Sequence, residues 1–107
     1  MTEIYEVEIL NEGHHYTLQE LCQSLQADAD FIVQCVDYGI AEVEGETREQ
    51  WKFSTLALVR IQRAYRLQRD LDINFTGLGV VLDLLDDVEA LRAQRNTLEK
   101  RLRHWEL

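Results

Sequence analysis

Proline is absent from this sequence, and cysteine is scarce. Two cysteines among 107 residues are too few for the disulfide scaffold of a small secreted domain, so we expect reduced thiols and a cytoplasmic protein. No apolar run is long enough to cross a membrane, and the acidic N-terminus MTEIYEVEIL is unlike a signal peptide. The content of 46% hydrophobic and 29% charged residues is typical of one small, folded, soluble domain.

The sequence also lacks the patterns of catalytic and cofactor sites. Gly77 and Gly79 have neither the third glycine nor the preceding strand of a phosphate-binding loop. Ser24 and Ser54 have no histidine and acid nearby in the sequence that would activate them. We therefore expect no enzyme activity and no cofactor.

A metal site is not indicated either. Cys22 and Cys35 fall on the apolar faces of predicted helices, where a free cysteine behaves as a small hydrophobic residue. His14 and His15 are expected in an exposed loop. We therefore interpret the cysteines as core residues and expect no metal ion.

Basic residues are nearly missing from the first half of the chain. Residues 1–53 contain twelve acidic residues and two basic ones, a net charge of −10, whereas residues 54–107 contain eight acidic and nine basic residues. Affinity for DNA comes largely from Lys and Arg that neutralise phosphates. The first half is therefore expected to repel DNA and to attract a basic protein, unless its charge serves only solubility.

The first elements predicted are a strand and a capped helix. Residues 4–10 alternate between β-branched or aromatic residues and other side chains, which predicts a short strand. Thr17 and Glu20 have the spacing of a capping box, in which each residue satisfies a backbone N–H at the start of a helix. A helix over residues 17–25 follows.

A second short helix completes the outline of a helix-turn-helix. Asp28 or Asp30 is its expected cap, and Gly39 is expected to end it in the left-handed conformation. Residues 40–43 and 51–53, on either side of a polar loop, then predict the two strands of a hairpin, or wing.

The second half is predicted to be helical. Ser54 is expected to cap a third helix that runs to about Asp70. A short fourth helix then contains Val80, Val81, Leu84 and Leu85. A final helix is expected to begin at Val88, with Asp86 or Asp87 as its cap.

Hydrophobic residues of the last helix follow a heptad pattern. From Leu84 onward they are spaced 4, 3, 4, 3, 4 and 3, with one arginine among them. Such a stripe either packs on the rest of the domain or meets a second copy, and we favour a homodimer. The predicted interface lies within residues 88–105 and comprises Val88, Leu91, Arg95, Leu98, Leu102 and Trp105.

Several stretches resemble a known family. They are CVDYGIAE at 35–42, WKF at 51–53, IQRAYRL at 61–67, LDINFTG at 71–77 and LDLLDD at 82–87. The order of elements is that of MerR-type regulators, and these stretches resemble more closely the chaperone-modulator family called CbpM. The match covers nearly the whole chain, except the segment around His14 and His15.

The resemblance implies a mainly α fold. It consists of a MerR-like winged helix-turn-helix head with short strands, then helices, then a long C-terminal dimerisation helix. We expect the head and the third helix in residues 1–75. The short helix and the dimerisation helix are expected in residues 76–107, within one structural unit.

The resemblance also implies a function. Members of the family bind the J-domain of CbpA, a DnaJ-like co-chaperone, prevent it from stimulating DnaK and reduce its binding to DNA. The alternative is a MerR-type transcriptional regulator that itself reads DNA. The second helix argues against that alternative, because it carries Asp28, Asp30 and Asp37 and no basic residue. We expect a J-domain partner, no direct contact with nucleic acid and no membrane.

The candidate partner-binding residues are four acids near the start of the last helix: Asp83, Asp86, Asp87 and Glu89. Their spacing concentrates negative charge on one part of the surface. A helix-capping role for Asp86 or Asp87 is the alternative. Four arginines at every third position of the third helix are expected to pair internally with Asp70, Asp72 or the acidic head, rather than with phosphate: Arg60, Arg63, Arg66 and Arg69.

Overall fold

The computed structural model describes residues 13–106, with side chains to residue 105. The strand predicted at residues 4–10 lies outside the described residues. The described elements are β1 (His15–Tyr16), α1 (Leu18–Leu25), α2 (Ala29–Asp37), a 3-10 turn (Arg48–Gln50), β2 (Phe53–Ser54), α3 (Thr55–Leu71) and α4 (Phe75–Glu106). The predicted mainly helical fold is thereby confirmed.

Helix α1 begins at the predicted capping box. The backbone N–H of Thr17 donates to Oε1 of Glu20 at 2.9 Å, and the backbone N–H of Glu20 donates to Oγ1 of Thr17 at 3.1 Å. The hydrogen bond from the Thr17 backbone lowers the pKa of the Glu20 carboxyl. Leu21 and Leu25 bury the apolar face of α1 in the core.

Helix α2 follows at once and completes the helix-turn-helix. Asp28 occupies the cap position, but its side chain makes no capping hydrogen bond. Gly39 adopts a φ of 72° just beyond the helix, the left-handed conformation predicted for it. Phe31 and Ile32 turn inward, and α1 packs against α2.

Both cysteines serve the core, as predicted. Cys35 is fully buried, Cys22 is partly buried against the same cluster, and both are free thiols. Burial raises the pKa of the Cys35 thiol to about 12. Burial, together with the nearby charge of Asp28, also raises the pKa of Cys22. Both thiols are therefore protonated at neutral pH.

The predicted wing is only partly formed. Residues 40–43 form no strand, because the backbone N–H groups of Ile40 and Ala41 both donate to the carbonyl of Cys35 and their side chains enter the core. The loop closes instead at a single bridge between Glu44 and Lys52.

Strand β2 pairs with β1 and not with residues 40–43. The two strands are antiparallel, with Tyr16 opposite Phe53 and His15 opposite Ser54. His15 therefore lies in an exposed strand and not in the expected loop, while the ring of His14 packs edge-on against Tyr16 with centroids 4.4 Å apart.

Helix α3 starts as predicted and ends one residue later than predicted. The backbone N–H of Ala57 donates to Oγ of Ser54 at 3.1 Å. The helix ends at Leu71, after which Asp72 is left-handed with a φ of 51°. Its inner face fills the centre of the head with buried side chains, including Leu58, Ile61 and Ala64.

Helix α4 is continuous, which corrects the prediction of two helices divided at Asp86 and Asp87. Neither aspartate caps a helix, because the backbone is helical throughout Phe75–Glu106. The residue that caps the helix is instead Asn74, just before Phe75. Its Oδ1 accepts a hydrogen bond from the backbone N–H of Gly77 at 2.8 Å. At 1.5 Å per residue, its 32 residues extend roughly 48 Å.

Only the first part of α4 belongs to the core. Leu78 and Leu82 are fully buried, whereas no side chain from Asp83 to Trp105 is buried. The helix thus docks on the head through its first turns and then leaves it. No described helix is both long enough and apolar enough to span a membrane.

Candidate protein-binding site

Arg60 connects three parts of the molecule at the candidate site. Its Nε donates to the backbone carbonyl of Ile40, just after the helix-turn-helix. Its Nη2 donates to Oδ1 of Asp83 at 2.8 Å, and its Nη1 donates to Oδ2 of Asp86. One guanidinium on α3 therefore binds both the head loop and α4, a use that suits its planar fork of donors.

Arg63 extends this network by one turn. Its Nη1 lies 3.1 Å from Oε1 of Glu89 and 3.9 Å from Oδ1 of Asp86. The predicted pairing is confirmed for Arg69, which contacts Asp70 at 3.1 Å, whereas Arg60 and Arg63 pair internally but with other acids than those predicted. The partners of Arg60 and Arg63 are acids of α4, and neither Asp72 nor the acidic head.

The four candidate acids therefore differ in their surroundings. Asp83, Asp86 and Glu89 are paired with arginines of α3, although the side chain of each remains at least half exposed. Asp87 is exposed and makes no ion pair or hydrogen bond within residues 13–105. Their role in binding a partner stays a prediction, and Asp87 is the acid whose charge is least compensated.

A leucine at this site escaped the sequence analysis. Leu56 is 78% exposed at the start of α3, although it is a hydrophobic residue next to the buried Ala57 and Leu58. Its spacing carried the signal: it precedes Arg60 by four residues and Arg63 by seven, so it shares their face and not the core face. Leu82, which directly precedes Asp83, is fully buried.

Two clefts lie on either side of Leu56 and Arg60. The first has a volume of about 350 Å³ and separates the loop after Gly39 from the start of α3. The second has a volume of about 310 Å³ and lies between α3 and α4. The second cleft is lined by Leu56, Val59, Arg60, Arg63, Leu82, Asp86 and Glu89.

The outer face of α2 carries carboxylate and amide side chains. Asp30, Gln34 and Asp37 are spaced four and three residues apart, and all three are exposed. No basic residue occurs in the helix. In a DNA-reading helix-turn-helix this face would enter the major groove, where it would meet negative phosphates.

The heptad stripe of α4 is open to solvent. Of the six predicted interface residues none is buried, and Leu91, Leu98 and Leu102 are 62%, 57% and 62% exposed. Arg95 pairs with Glu99 of its own helix at 2.9 Å. The stripe therefore does not pack on the head of its own chain, which was one of the two arrangements that the sequence allowed.

Metal ligands do not converge in the described part of the chain. No group of three or more His, Cys, Asp or Glu side chains within it could hold a metal ion. The acids near Arg60 are arranged around guanidinium groups.

Known proteins match this chain over most of its length. The family model described as "MerR HTH family regulatory protein" matches residues 16–100. The chaperone modulatory protein CbpM of Pseudomonas entomophila (strain L48) is 35% identical over 85 residues, which are 79% of this chain and 84% of that protein. The chaperone modulatory protein CbpM of Coxiella burnetii (strain Dugway 5J108-111) is 34% identical over 92 residues, which are 86% of this chain and 87% of that protein.

Proposed function

Since this chain belongs to the CbpM family of chaperone modulatory proteins, within the MerR-like helix-turn-helix regulators, we propose that it binds the J-domain of a DnaJ-like co-chaperone. Occupying that domain keeps the co-chaperone from stimulating DnaK and reduces its binding to DNA. The sequence resemblance is confirmed for the family, for the MerR-like helical fold and for a chaperone-modulating role.

The observation that carries the proposal is the acidic surface of a helix-turn-helix head. Residues 1–53 carry a net charge of −10, and the exposed face of α2 has carboxylates where a DNA reader needs Lys or Arg. A J-domain presents a basic helix to its chaperone. An acidic competitor meets that helix through complementary charge, which favours fast and selective association.

Direct reading of DNA is the competing function. The MerR relationship favours it, because helix-turn-helix proteins commonly place their second helix in the major groove. The charge on α2 opposes it, because a helix without Lys or Arg releases no counterions from the duplex. We therefore propose that the head is retained as a scaffold for protein binding.

Modulation of this kind needs no catalysis. A protein that covers the surface used by DnaK acts by mass action, in proportion to its occupancy of the co-chaperone. The proposal thus agrees with a regulatory, non-enzymatic role, which the family relationship supports.

Calorimetry and a DnaK ATPase assay test the proposal together. The purified protein is titrated into the purified J-domain of a CbpA-type co-chaperone at low and at moderate salt. We expect binding that weakens as salt rises, and a matching loss of co-chaperone-stimulated ATPase activity. Absence of binding to the J-domain, combined with retention on promoter DNA at physiological salt, would establish the transcriptional regulator instead.

The acids of α4 are tested by a charge reversal that spares the ion pairs. Asp87→Lys changes the one candidate acid without a partner in the described structure, and Glu46→Lys makes the same change of net charge in the wing loop. We expect Asp87→Lys to weaken J-domain binding more than Glu46→Lys does. Equal effects of the two variants would mean that overall charge, and not this cluster, attracts the partner.

We further propose that the protein is a homodimer through α4. The exposed heptad stripe supports this, because burying one leucine contributes about 1.5–3 kcal/mol and a two-fold interface uses each leucine twice. Leu98→Asp is expected to sediment as a monomer. Ala93→Asp, an equal insertion of charge at an exposed position off the stripe, is expected to remain dimeric. A dimeric Leu98→Asp variant would exclude this interface.

A further inference from the structure

Nothing in the described part of the chain covers Leu56. Its neighbours Ala57 and Leu58 are 7% and 1% exposed, whereas Leu56 is 78% exposed. Single exposed leucines are ordinary on protein surfaces. This one differs because it stands between two clefts, and its side chain lines both of them.

The clefts have apolar floors. In the first, Ile40, Ala41 and Ala57 are buried residues at the edge of the core. In the second, Leu82 closes the floor between α3 and α4. We use the name Leu56 surface for Leu56 together with these two clefts. An apolar side chain of a partner would find a hydrophobic floor on either side of the leucine.

The outer edges of the Leu56 surface are acidic. Glu42 lines the first cleft, and Asp86 and Glu89 line the second. The basic residues of the surface are Arg60 and Arg63, and both already bind carboxylates of α4. The three carboxylates of the surface outnumber its two guanidinium groups, and Glu42 is the carboxylate that pairs with neither arginine, so the surface keeps a net negative charge around an apolar centre.

The walls of the surface are also held in place. Arg60 binds the carbonyl of Ile40 on the side of the first cleft and the carboxylate of Asp86 on the side of the second. Because one side chain fixes both walls, a partner loses less free energy in ordering them on binding. A rigid groove with an apolar centre and charged edges is typical of sites for amphipathic helices.

We infer that the Leu56 surface docks a basic amphipathic helix. It would place an apolar side chain in a cleft beside Leu56 and cationic side chains opposite Glu42, Asp86 and Glu89. This inference rests on the proposed function, in which the helix belongs to the J-domain. Charge excludes a nucleic acid, which the acidic edge would repel, and the measurement of mass below distinguishes the J-domain from a second copy of this chain.

A pair of leucine variants on one helix tests the inference. Leu56→Ser removes the apolar centre of the surface. Leu71→Ser makes the same substitution at a 61% exposed position at the other end of α3. Binding to the purified J-domain is measured by calorimetry, and mass is measured by sedimentation. We expect Leu56→Ser to raise the Kd for the J-domain roughly tenfold or more, without changing the melting temperature or the mass. Leu71→Ser is expected to bind the J-domain with the Kd of the wild type.

A second variant tests the charged edge. Glu42→Gln removes a carboxylate that makes no ion pair or hydrogen bond in the described structure. We expect weaker binding to the J-domain and a shallower dependence of the Kd on salt than for the wild type.

The outcomes separate the two proposals. If the wild-type protein binds no J-domain, the proposed function is wrong, and this docking inference is wrong with it. If the wild type and Leu56→Ser bind equally well, the function stands and the Leu56 surface is not its site. A fall in mass for Leu56→Ser would show that a second copy, and not the J-domain, covers the leucine.

Discussion

Replacing Arg60 by alanine would remove the side chain that holds α4 against the head. The guanidinium binds the carbonyl of Ile40 and the carboxylates of Asp83 and Asp86 at once. Since no side chain from Asp83 to Trp105 is buried, these bonds to the carboxylates and the ion pair of Arg63 with Glu89 are polar links between α3 and this part of α4. We expect Arg60→Ala both to destabilise the fold and to free the direction of α4.

The size of the effect follows from the exposure of each partner. Ile40 is 2% exposed, and leaving its carbonyl without a donor costs about 1–3 kcal/mol. The side chains of Asp83 and Asp86 are 76% and 50% exposed, so each ion pair contributes only about 0–1 kcal/mol. The free energy of unfolding should fall by about 1–5 kcal/mol in total, mostly through the carbonyl.

Urea unfolding followed by circular dichroism measures this loss. All variants are compared at one protein concentration, because dimerisation links stability to concentration. Arg60→Lys keeps the charge but not the fork of donors, so it should recover only part of the loss. A double-mutant cycle with Asp83→Asn should give a coupling below about 1 kcal/mol. A loss of less than about 0.5 kcal/mol for Arg60→Ala, the range of ordinary surface substitutions, would refute the reasoning.

Two further predictions concern the head. Thr17→Ala should lower the free energy of unfolding by about 1 kcal/mol in urea, since it removes half of a capping box. Folding lowers the pKa of the Glu20 carboxyl, so the ionised carboxylate stabilises the fold at any pH above its unfolded pKa. Urea titrations at a series of pH values should show this contribution disappear as the pH falls through the folded pKa. The cysteines are compared by labelling with iodoacetamide at pH 8, followed by mass spectrometry. Cys22 should react before Cys35, because the Cys35 thiol is buried and has a pKa of about 12. Equal rates of labelling would contradict the burial of Cys35.

The helix ends could be predicted from the sequence because their chemistry is local. Thr17 and Glu20 are three residues apart, Ser54 caps a backbone N–H three residues on, and Gly39, just beyond α2, adopts the left-handed backbone that glycine favours. Each signal lies within one turn of the helix end that it determines. Such signals are unaffected by how the helices later pack.

The break predicted at Asp86 and Asp87 failed for the opposite reason. Aspartates are common helix caps, so two in succession suggest a new start. In the structure Asp86 pairs with Arg60 and Arg63, which precede it by 26 and 23 residues. A sequence pattern read over one or two turns contains nothing of this distant pairing.

The candidate site shows the same division. The cluster of acids on α4 was visible in the sequence because it is a local concentration of charge. Leu56 was missed because its exposure depends on which face of α3 meets the core, and that face is chosen by contacts with α2, β2 and α4. Its four- and seven-residue spacing from two arginines separated it from Leu58, the buried leucine of the same helix.

The continuous helix α4 links the two proposed interfaces. Glu89 edges the Leu56 surface, and Val88, the residue before it, begins the predicted dimer stripe. With no break at Asp86 or Asp87, the orientation of the stripe about the helix axis fixes the direction in which the head faces. A two-fold dimer would then hold two Leu56 surfaces in a fixed relation, each beside the point where the helices come together. Arg60 binds both the head loop and α4 and lines both clefts, so it would take part in the Leu56 surface and in fixing that surface relative to the dimer stripe.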